Sequence, residues 1–223
     1  MKKYFIRYVL FLLGLGVLFP AAIQGQQQLK KSRRAPFCGF SLKDGYFGAG
    51  RTKAKQFITR EAHIGDDSGI PEVVQAVKKQ IGFTGDISVY IASKEDNCFA
   101  TILDGRRVLI ADHLFLNKVD KDAATQWAAI SIISHEIGHH IAGFGRHESP
   151  LDDELDADYW SGFALMKLGA SKSAAIKCIM VYGSEEDSES HPNKYKRSKM
   201  IEKGWEDASN GTIDYSKCGD CKE

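Results

Sequence analysis

Two histidines one helical turn apart, with a glutamate beside the first, are the residues of this chain best suited to chemistry. They form the segment His135-Glu136-Ile137-Gly138-His139, within the apolar run from Trp127 to Ala142. On an α-helix, side chains at positions i and i+4 lie on one face about 6 Å apart, so both imidazoles can reach one Zn²⁺ ion. This H-E-x-x-H spacing is typical of the zinc site of a metallopeptidase.

The glutamate of this segment has a different position and a different predicted role. Glu136 lies about 100° around the helix from His135, so its carboxylate points past the metal towards the open coordination position. Zinc lowers the pKa of a bound water from about 16 to about 7 and polarises the scissile carbonyl. We predict that Glu136 is the general base and later the general acid. The alternative is that the histidines make ordinary hydrogen bonds in the core.

A catalytic zinc ion has three protein ligands and one open position, so the chain should supply one more ligand. The acidic segment from Asp152 to Asp158 opens a predicted helix, and Glu154 and Asp158 share one of its faces. We predict that Glu154 is the third ligand and that Asp158 accepts a hydrogen bond from a ligand histidine. The alternative is a helix N-terminus that is acidic only because of the helix dipole and its caps.

His147 competes with Glu154 for the third ligand position. The zinc motif H-E-x-x-H-x-x-G-x-x-H requires a glycine at position 142 and a histidine at position 145, where this chain has Ala142 and Gly145. His147 lies two residues beyond the position of the motif's third histidine. We expect His147 at the surface of the loop from Gly143 to Pro150, or lining the cleft.

Three motifs occur in a fixed order: His135 to His139, then Glu154-Leu-Asp-Ala-Asp158, then His191-Pro192 followed by Arg197. This order resembles the gluzincin metallopeptidases related to the CaaX prenyl endopeptidases and the HtpX-like proteases. Those proteins carry H-E-x-x-H, E-x-x-A-D and a His-Pro segment with a following arginine. The resemblance covers about Ile87 to Trp205.

The resemblance implies one Zn²⁺ ion per chain and hydrolysis of peptide bonds. It implies that Glu154 is the third ligand, that Asp158 orients a ligand, and that His191 donates near the oxyanion of the tetrahedral intermediate. The chain lacks the transmembrane helices of the membrane-embedded members, so it resembles their small soluble relatives. The resemblance therefore does not imply prenylated or membrane-protein substrates for this chain.

His191 and Arg197 also have simpler interpretations. Pro192 biases His191 away from helix, so His191 precedes the last predicted helix, Lys194 to Glu206, either at the site or in an exposed turn. Arg197 either anchors that helix to a carboxylate or contacts substrate.

The N-terminus has the pattern of a secretory signal peptide. Basic residues precede an apolar core from Tyr8 to Phe19, which is followed by the small-residue segment Pro20 to Gly25. We predict a signal peptide over residues 1–25, a polar leader over 26–45 and a single zinc metallopeptidase domain over 46–223. The protein should be exported to the periplasm or secreted, with no stable membrane span after cleavage. A retained anchor is the alternative.

All five cysteines lie in the part predicted to be exported, where disulfides persist. Cys218 and Cys221 are spaced for a local disulfide. The alternative is that bridges tie the C-terminal tail to Cys178 or Cys98.

Charge and hydrophobic pattern limit the partners and the fold. A net charge of +1 gives no nucleic-acid footprint, so the expected partner is a peptide or protein substrate, and the oligomeric state is open. The pattern predicts a helix over 70–81, a strand over 86–92, a hairpin of 98–103 and 106–111 around Asp104-Gly105, the two site helices, a helix over 171–182 and the last helix.

This order predicts an α+β fold: a zincin-like metallopeptidase domain with a helical body and a small antiparallel β-sheet. In zinc peptidases built this way an edge strand pairs with extended substrate, and Arg106 to Ala111 is the candidate strand. A purely structural hairpin is the alternative.

Two functions remain. One is an exported zinc endopeptidase with Glu136 as base, and the other is a non-catalytic, zinc-stabilised interaction or chaperone-like module.

Overall fold

A computed structural model describes residues 37–41, 58–93, 96–219 and 221 of the 223-residue chain. The part it describes is an α+β fold with seven α-helices and one five-stranded sheet. The predicted signal peptide lies outside the described residues. None of the helices in the described ranges is both long enough and apolar enough to span a membrane.

The strands are β1 (Phe37–Ser41), β2 (Ile58–Ala62), β3 (Ser88–Ala92), β4 (Asn97–Leu103) and β5 (Arg106–Asp112). The helices are α1 (Ile70–Ile81), α2 (His113–Asp122), α3 (Trp127–Ala142), α4 (Pro150–Lys167), α5 (Lys172–Ala175), α6 (Lys177–Tyr182) and α7 (Lys194–Asn210). A short 3₁₀ turn, Tyr215–Lys217, lies in the C-terminal tail.

The sheet has the strand order β1-β4-β5-β3-β2. The predicted hairpin is confirmed: β4 and β5 are antiparallel, and Asp104 and Gly105 both have positive φ, as a tight hairpin turn requires. The predicted all-antiparallel sheet is wrong, because β5 runs parallel to β3. The hairpin reverses the chain twice after β3 and places β5 between β4 and β3, so β5 runs in the direction of β3.

The strand order also corrects the predicted substrate-pairing strand. β5 has neighbours on both sides, so the segment from Arg106 to Ala111 is not an edge strand. On the side away from β5, β4 pairs with β1. β1 lies within residues 26–45, the range predicted as a polar leader.

Several helices follow from local signals. Helix α1 has the predicted bounds, with Pro71 in its first turn. Helix α2 was not predicted; it begins at an N-cap, Asp112, whose carboxylate accepts hydrogen bonds from the amides of Leu114 and Phe115. The helix predicted over 171–182 divides at Ile176 into α5 and α6.

Helix α3 is the centre of the core and is buried from Ala128 to Ala142. It lies against the sheet on one side and α4 on another. Gly138 permits the contact with α4: a Cβ there would lie 2.7 Å from the carbonyl oxygen of Ala157. Glycines at 162 and 204 allow a similar backbone approach between α4 and α7. The three helices that carry the candidate site residues are therefore packed at short range.

Candidate metal centre

Helices α3 and α4 bring His135, His139 and Glu154 together. The Nε2 atoms of the two histidines are 3.1 Å apart. The Glu154 carboxylate is 3.4 Å from each of them, through Oε2 to His135 and Oε1 to His139. One ligand atom from each residue lies within 4.8 Å of the others, so this buried group could hold a metal ion.

Asp158 and Arg197 hold the first histidine in place. Oδ1 of Asp158 is 2.9 Å from Nδ1 of His135, so Nδ1 donates and Nε2 faces the ligand position. Arg197 donates to both Asp158 oxygens, from Nε at 2.7 Å and Nη2 at 2.8 Å. This bidentate pair anchors α7 to α4, which is the first of the two predicted roles of Arg197.

Glu136 lies on α3 beside the three ligands and is fully buried. The backbone amide of Ala100, in β4, donates to its Oε2 at 2.7 Å. Its other oxygen, Oε1, has no hydrogen-bond partner among the described residues. Burial raises the pKa of this carboxyl to about 8 in the metal-free protein, although the neighbouring His135 opposes the rise. Oε1, which receives no hydrogen bond from the described part of the chain, is therefore the oxygen at which this carboxyl takes up a proton.

The ligands have different protonation tendencies. Burial lowers the pKa of His135, but the Asp158 and Glu154 carboxylates outweigh it and raise the pKa to about 9. For His139 burial prevails, and its pKa lies below the usual value. Burial favours a higher pKa for Glu154, yet the neighbouring histidines, His191 first, hold it well below its usual range. Glu154 is thus an anion and His139 a neutral imidazole, which are the forms that bind metal, whereas His135 must lose a proton to bind it.

The charges of the site fit a divalent cation. The site holds three buried carboxylates, those of Glu136, Glu154 and Asp158, and one guanidinium, that of Arg197, which contacts the last two. When all three are ionised and both ligand histidines are neutral, as metal binding requires, these groups carry an excess of two negative charges. In the metal-free protein, protons on His135 and Glu136 offset that excess. Burial of such an excess is costly unless a cation offsets it. Two imidazoles and a carboxylate are also ligands that zinc accepts.

His191 lies at the rim of this group. Its Nε2 is 3.3 Å from Oε2 of Glu154, and 17% of its side chain is exposed. The amide of His191 donates to Oγ of Ser188, which helps to hold the loop that precedes α7. Burial lowers the pKa of His191 to about 4 despite the Glu154 carboxylate.

No protein-family model matches this chain. No curated protein and no solved structure is significantly similar to it.

The competing ligand, His147, lies away from the metal centre. Its Nε2 is 2.7 Å from Oδ2 of Asp156, which also pairs with Arg146. Nζ of Lys217 is 2.9 Å from Oδ1 of the same carboxylate. His147 therefore belongs to a second cluster, built around a buried carboxylate, which we call the Asp156 cluster: Asp156, Arg146, His147 and Lys217.

Three contacts of the site have little or no sequence signal. The amide of Ala100 could not be predicted, because every residue except proline has one. His140 accompanies His139 in the sequence, and its Nε2 is 3.1 Å from the carbonyl oxygen of Val108, which ties α3 to β5. Phe144 stacks on the ring of His139, with centroids 5.8 Å apart.

The C-terminal tail carries the local disulfide, Cys218–Cys221. Cys98 and Cys178 are buried free thiols, so the alternative in which they bridge to the tail is wrong. The tail lies against the C-terminus of α3, where the amide of Gly219 donates to the carbonyl oxygen of Ile141.

Proposed function

We propose that this protein is an exported zinc-dependent endopeptidase with a zincin-like domain of the gluzincin type. The observation that carries the proposal is the convergence of His135, His139 and Glu154 beside a buried glutamate, Glu136, that has an acceptor oxygen to spare. A zinc ion held by the two histidines and Glu154 would keep one position open, as catalytic zinc sites do. A structural zinc ion would more often have four protein ligands.

When bound, zinc supplies Lewis acidity: it polarises a carbonyl group and makes water acidic enough to lose a proton near pH 7. The chain supplies the proton acceptor. The amide of Ala100 fixes Oε2 of Glu136, so the carboxylate cannot rotate freely and Oε1 remains available for the proton. Glu136 then returns that proton to the leaving amine, as a general acid.

The other residues of the site orient the metal ligands or stabilise charge that develops on the substrate. Asp158 holds His135 so that Nε2 is the ligand atom, and Arg197 keeps Asp158 in place. His191 is at the rim, near Glu154, where an imidazole can donate to the oxygen that becomes negative in the tetrahedral intermediate. In this proposal His191 contacts substrate, whereas Asp158 and Arg197 do not.

The proposal is tested by zinc content and proteolysis in the same samples. Wild-type protein and the Glu136→Gln variant are compared for bound zinc and for cleavage of a quenched, unstructured protein substrate. We expect one zinc ion per chain in both, and activity at least about 10²-fold lower in the variant, because general-base catalysis contributes about 10²–10⁴-fold. Equal activity in both would show that Glu136 is not the base.

A second candidate is a non-catalytic, zinc-stabilised interaction or chaperone-like module. The burial of the site favours it, since His135, His139 and Glu154 are at most 3% exposed and Glu136 is 0% exposed. On this alternative, zinc stabilises the fold, and the Glu136→Gln variant keeps both its zinc and its binding function. Zinc binding without proteolysis by the wild type would favour it.

The proposed location and partners rest on the N-terminal pattern and on charge. A signal peptide over residues 1–25 would direct the chain to the periplasm or outside the cell, and the tail disulfide is suited to an oxidising compartment. The expected partner is a peptide or protein substrate rather than a nucleic acid.

A further inference from the structure

The strand beside the metal centre is covered by a strand from the N-terminal part of the chain. β1 pairs antiparallel with β4 along all five of its residues, and Cys38 is opposite Ala100 in the register. Ala100 is also the residue whose amide holds Glu136. β1 therefore passes along the edge of β4 at the level of the proposed general base.

This edge is the one that an extended peptide would need. A peptide adds to a sheet only where a strand has free backbone N–H and C=O groups. One side of β4 is taken by β5, so its other side is the available edge next to Glu136. β1 also lies against α3, the helix that carries both histidines. β1 thus occupies the place along β4 from which a peptide bond could reach Glu136.

The burial of the site agrees with a covered edge. The four residues proposed to bind zinc or transfer protons are each at most 3% exposed. Hydrolysis requires a peptide bond to enter this group of side chains. A peptide bond therefore cannot reach these four side chains unless a segment that covers them moves.

We propose that β1 is an intramolecular inhibitory strand, which keeps the enzyme latent by occupying the edge of β4 until it leaves. This inference rests on the proposed peptidase function. A strand that belongs to the same chain competes at a high effective concentration, about millimolar, and so it excludes a weakly bound peptide. After a cut in the connection, β1 is held only by its own contacts and can dissociate.

The first test separates β1 from the rest of the chain. A recognition sequence for a specific protease replaces part of residues 42–57, between β1 and β2, in the full chain. Cleavage of a quenched, unstructured protein substrate is measured before and after the cut, with hydrogen exchange of the β4 amides as an independent measure of β1 release. The same protein with Glu136→Gln is the control for contaminating proteases.

We expect faster exchange in β4 and at least a tenfold gain in activity after the cut, with no gain in the Glu136→Gln protein. Equal activity before and after, with β1 released, would overturn the inhibitory strand but leave the peptidase proposal intact. No activity in either form, with zinc bound and β1 released, would overturn both proposals. No release of β1 after the cut would show that it is a permanent strand of the sheet and would also overturn its inhibitory role.

A second test leaves the chain intact. In an antiparallel strand, amides of consecutive residues point to opposite sides, so one of Cys38 and Gly39 must direct its amide at β4. The double substitution Cys38→Pro with Gly39→Pro therefore removes a ladder donor whichever register of hydrogen bonds applies. We expect higher activity than in a control with Gln27→Pro and Gln28→Pro. Equal activity in the two variants would count against the proposal.

Discussion

Two buried carboxylates on α4, Asp156 and Asp158, are two residues apart and are equally buried. Each pairs with an arginine and a histidine: Asp158 with Arg197 and His135, and Asp156 with Arg146 and His147. About 200° of helical rotation separates them, so they face different parts of the molecule. Similar residue types thus form one cluster suited to chemistry and one that serves the fold.

The difference is the balance of charge. At Asp156 the cations exceed the carboxylate, because Lys217 joins Arg146 on the same side chain. At Asp158 three carboxylates, with Glu154 and Glu136, lie around one arginine, and in the metal-free protein protons on His135 and Glu136 make up the difference. A metal ion can take the place of those protons beside Asp158, whereas beside Asp156 the cations of the chain already exceed the carboxylate. The presence of histidine beside an acid is therefore a weaker indication of a metal site than the net charge of the group.

The Asp156 cluster has a structural task. Arg146 donates to the carbonyl oxygens of Ser216, at 2.7 Å, and Cys218, at 3.3 Å. Nε1 of Trp160 donates to the carbonyl oxygen of Lys217 at 2.7 Å. These contacts fasten the C-terminal tail to α4 and to the loop that follows α3.

The strongest test of this comparison removes one carboxylate from each cluster. We expect Glu154→Ala to lower zinc affinity by more than about 100-fold, since loss of a residue that only orients a ligand costs about 10–100-fold. Asp156→Asn should keep wild-type zinc affinity but lower the free energy of unfolding by about 1–3 kcal/mol. This is less than for a fully buried pair, because Arg146 and Lys217 are partly exposed.

Zinc affinity is measured by competition with a chelator, and stability by urea unfolding of the metal-free proteins. A similar loss of zinc affinity in both variants would mean that the two clusters act as one unit.

The next test concerns the orienting carboxylate. Asp158→Asn can still accept a hydrogen bond but loses the charge that supports His135 and Arg197. We expect zinc affinity to fall by about 10–100-fold, whereas His147→Gln, in the other cluster, should not change it. Chelator competition at one pH measures both variants. Unchanged affinity in Asp158→Asn would show that packing alone orients His135.

A third test adds a methyl group beside each cluster. In Gly138→Ala the new Cβ meets the backbone of α4 at Ala157, so α4 must move away from α3 and carry Glu154 with it. We expect about a tenfold loss of zinc affinity and a loss of stability of about 1–3 kcal/mol. Gly219→Ala meets the carbonyl oxygen of Ala142 and should destabilise the tail alone.

The same chelator and urea measurements apply to these glycine variants. Loss of zinc in the Gly219→Ala variant would indicate that the tail also positions the ligands.

A smaller effect is expected from the tail disulfide. Replacing both Cys218 and Cys221 by serine removes a cross-link that closes a very short loop, so the chain-entropy model gives a loss of about 2 kcal/mol. Zinc affinity should stay within about threefold of wild type, because the tail contacts the Asp156 cluster and not the ligands. Thermal unfolding with and without zinc measures both effects, and a zinc-dependent difference would contradict this separation.

The last test concerns Asp120 in α2, whose Oδ1 accepts a hydrogen bond from the amide of Ala129 at the start of α3. Burial raises its pKa from 3.8 to about 6, although this hydrogen bond opposes the rise. A raised pKa gives stability that is present below the unfolded-state value and lost as the pH rises through about 6. Wild type should therefore become less stable relative to Asp120→Asn between pH 4 and 7, in urea unfolding of the metal-free proteins. A difference that does not vary with pH would contradict the shifted pKa.

Much of the fold was predictable where local pattern is enough. Helix α1, the β4–β5 hairpin and the two site helices follow from hydrophobic period, caps and turn residues. The strand order was not predictable in this way, because alternation along β5 says only that it is a strand. The placement of β5 between β4 and β3, and of β1 on the far side of β4, depends on contacts between distant segments.

The sequence by itself determined the chemistry that this protein can offer. His135 and His139 must share a helical face with Glu136 beside them, and Glu154 and Asp158 must share another, because the period of the helix is fixed by backbone geometry. The tertiary structure decided how these groups meet. The close approach at Gly138, the amide of Ala100 on Glu136 and the pair of Arg197 with Asp158 join residues far apart in the chain. Such contacts depend on how whole elements pack, and no local pattern of residues records that packing.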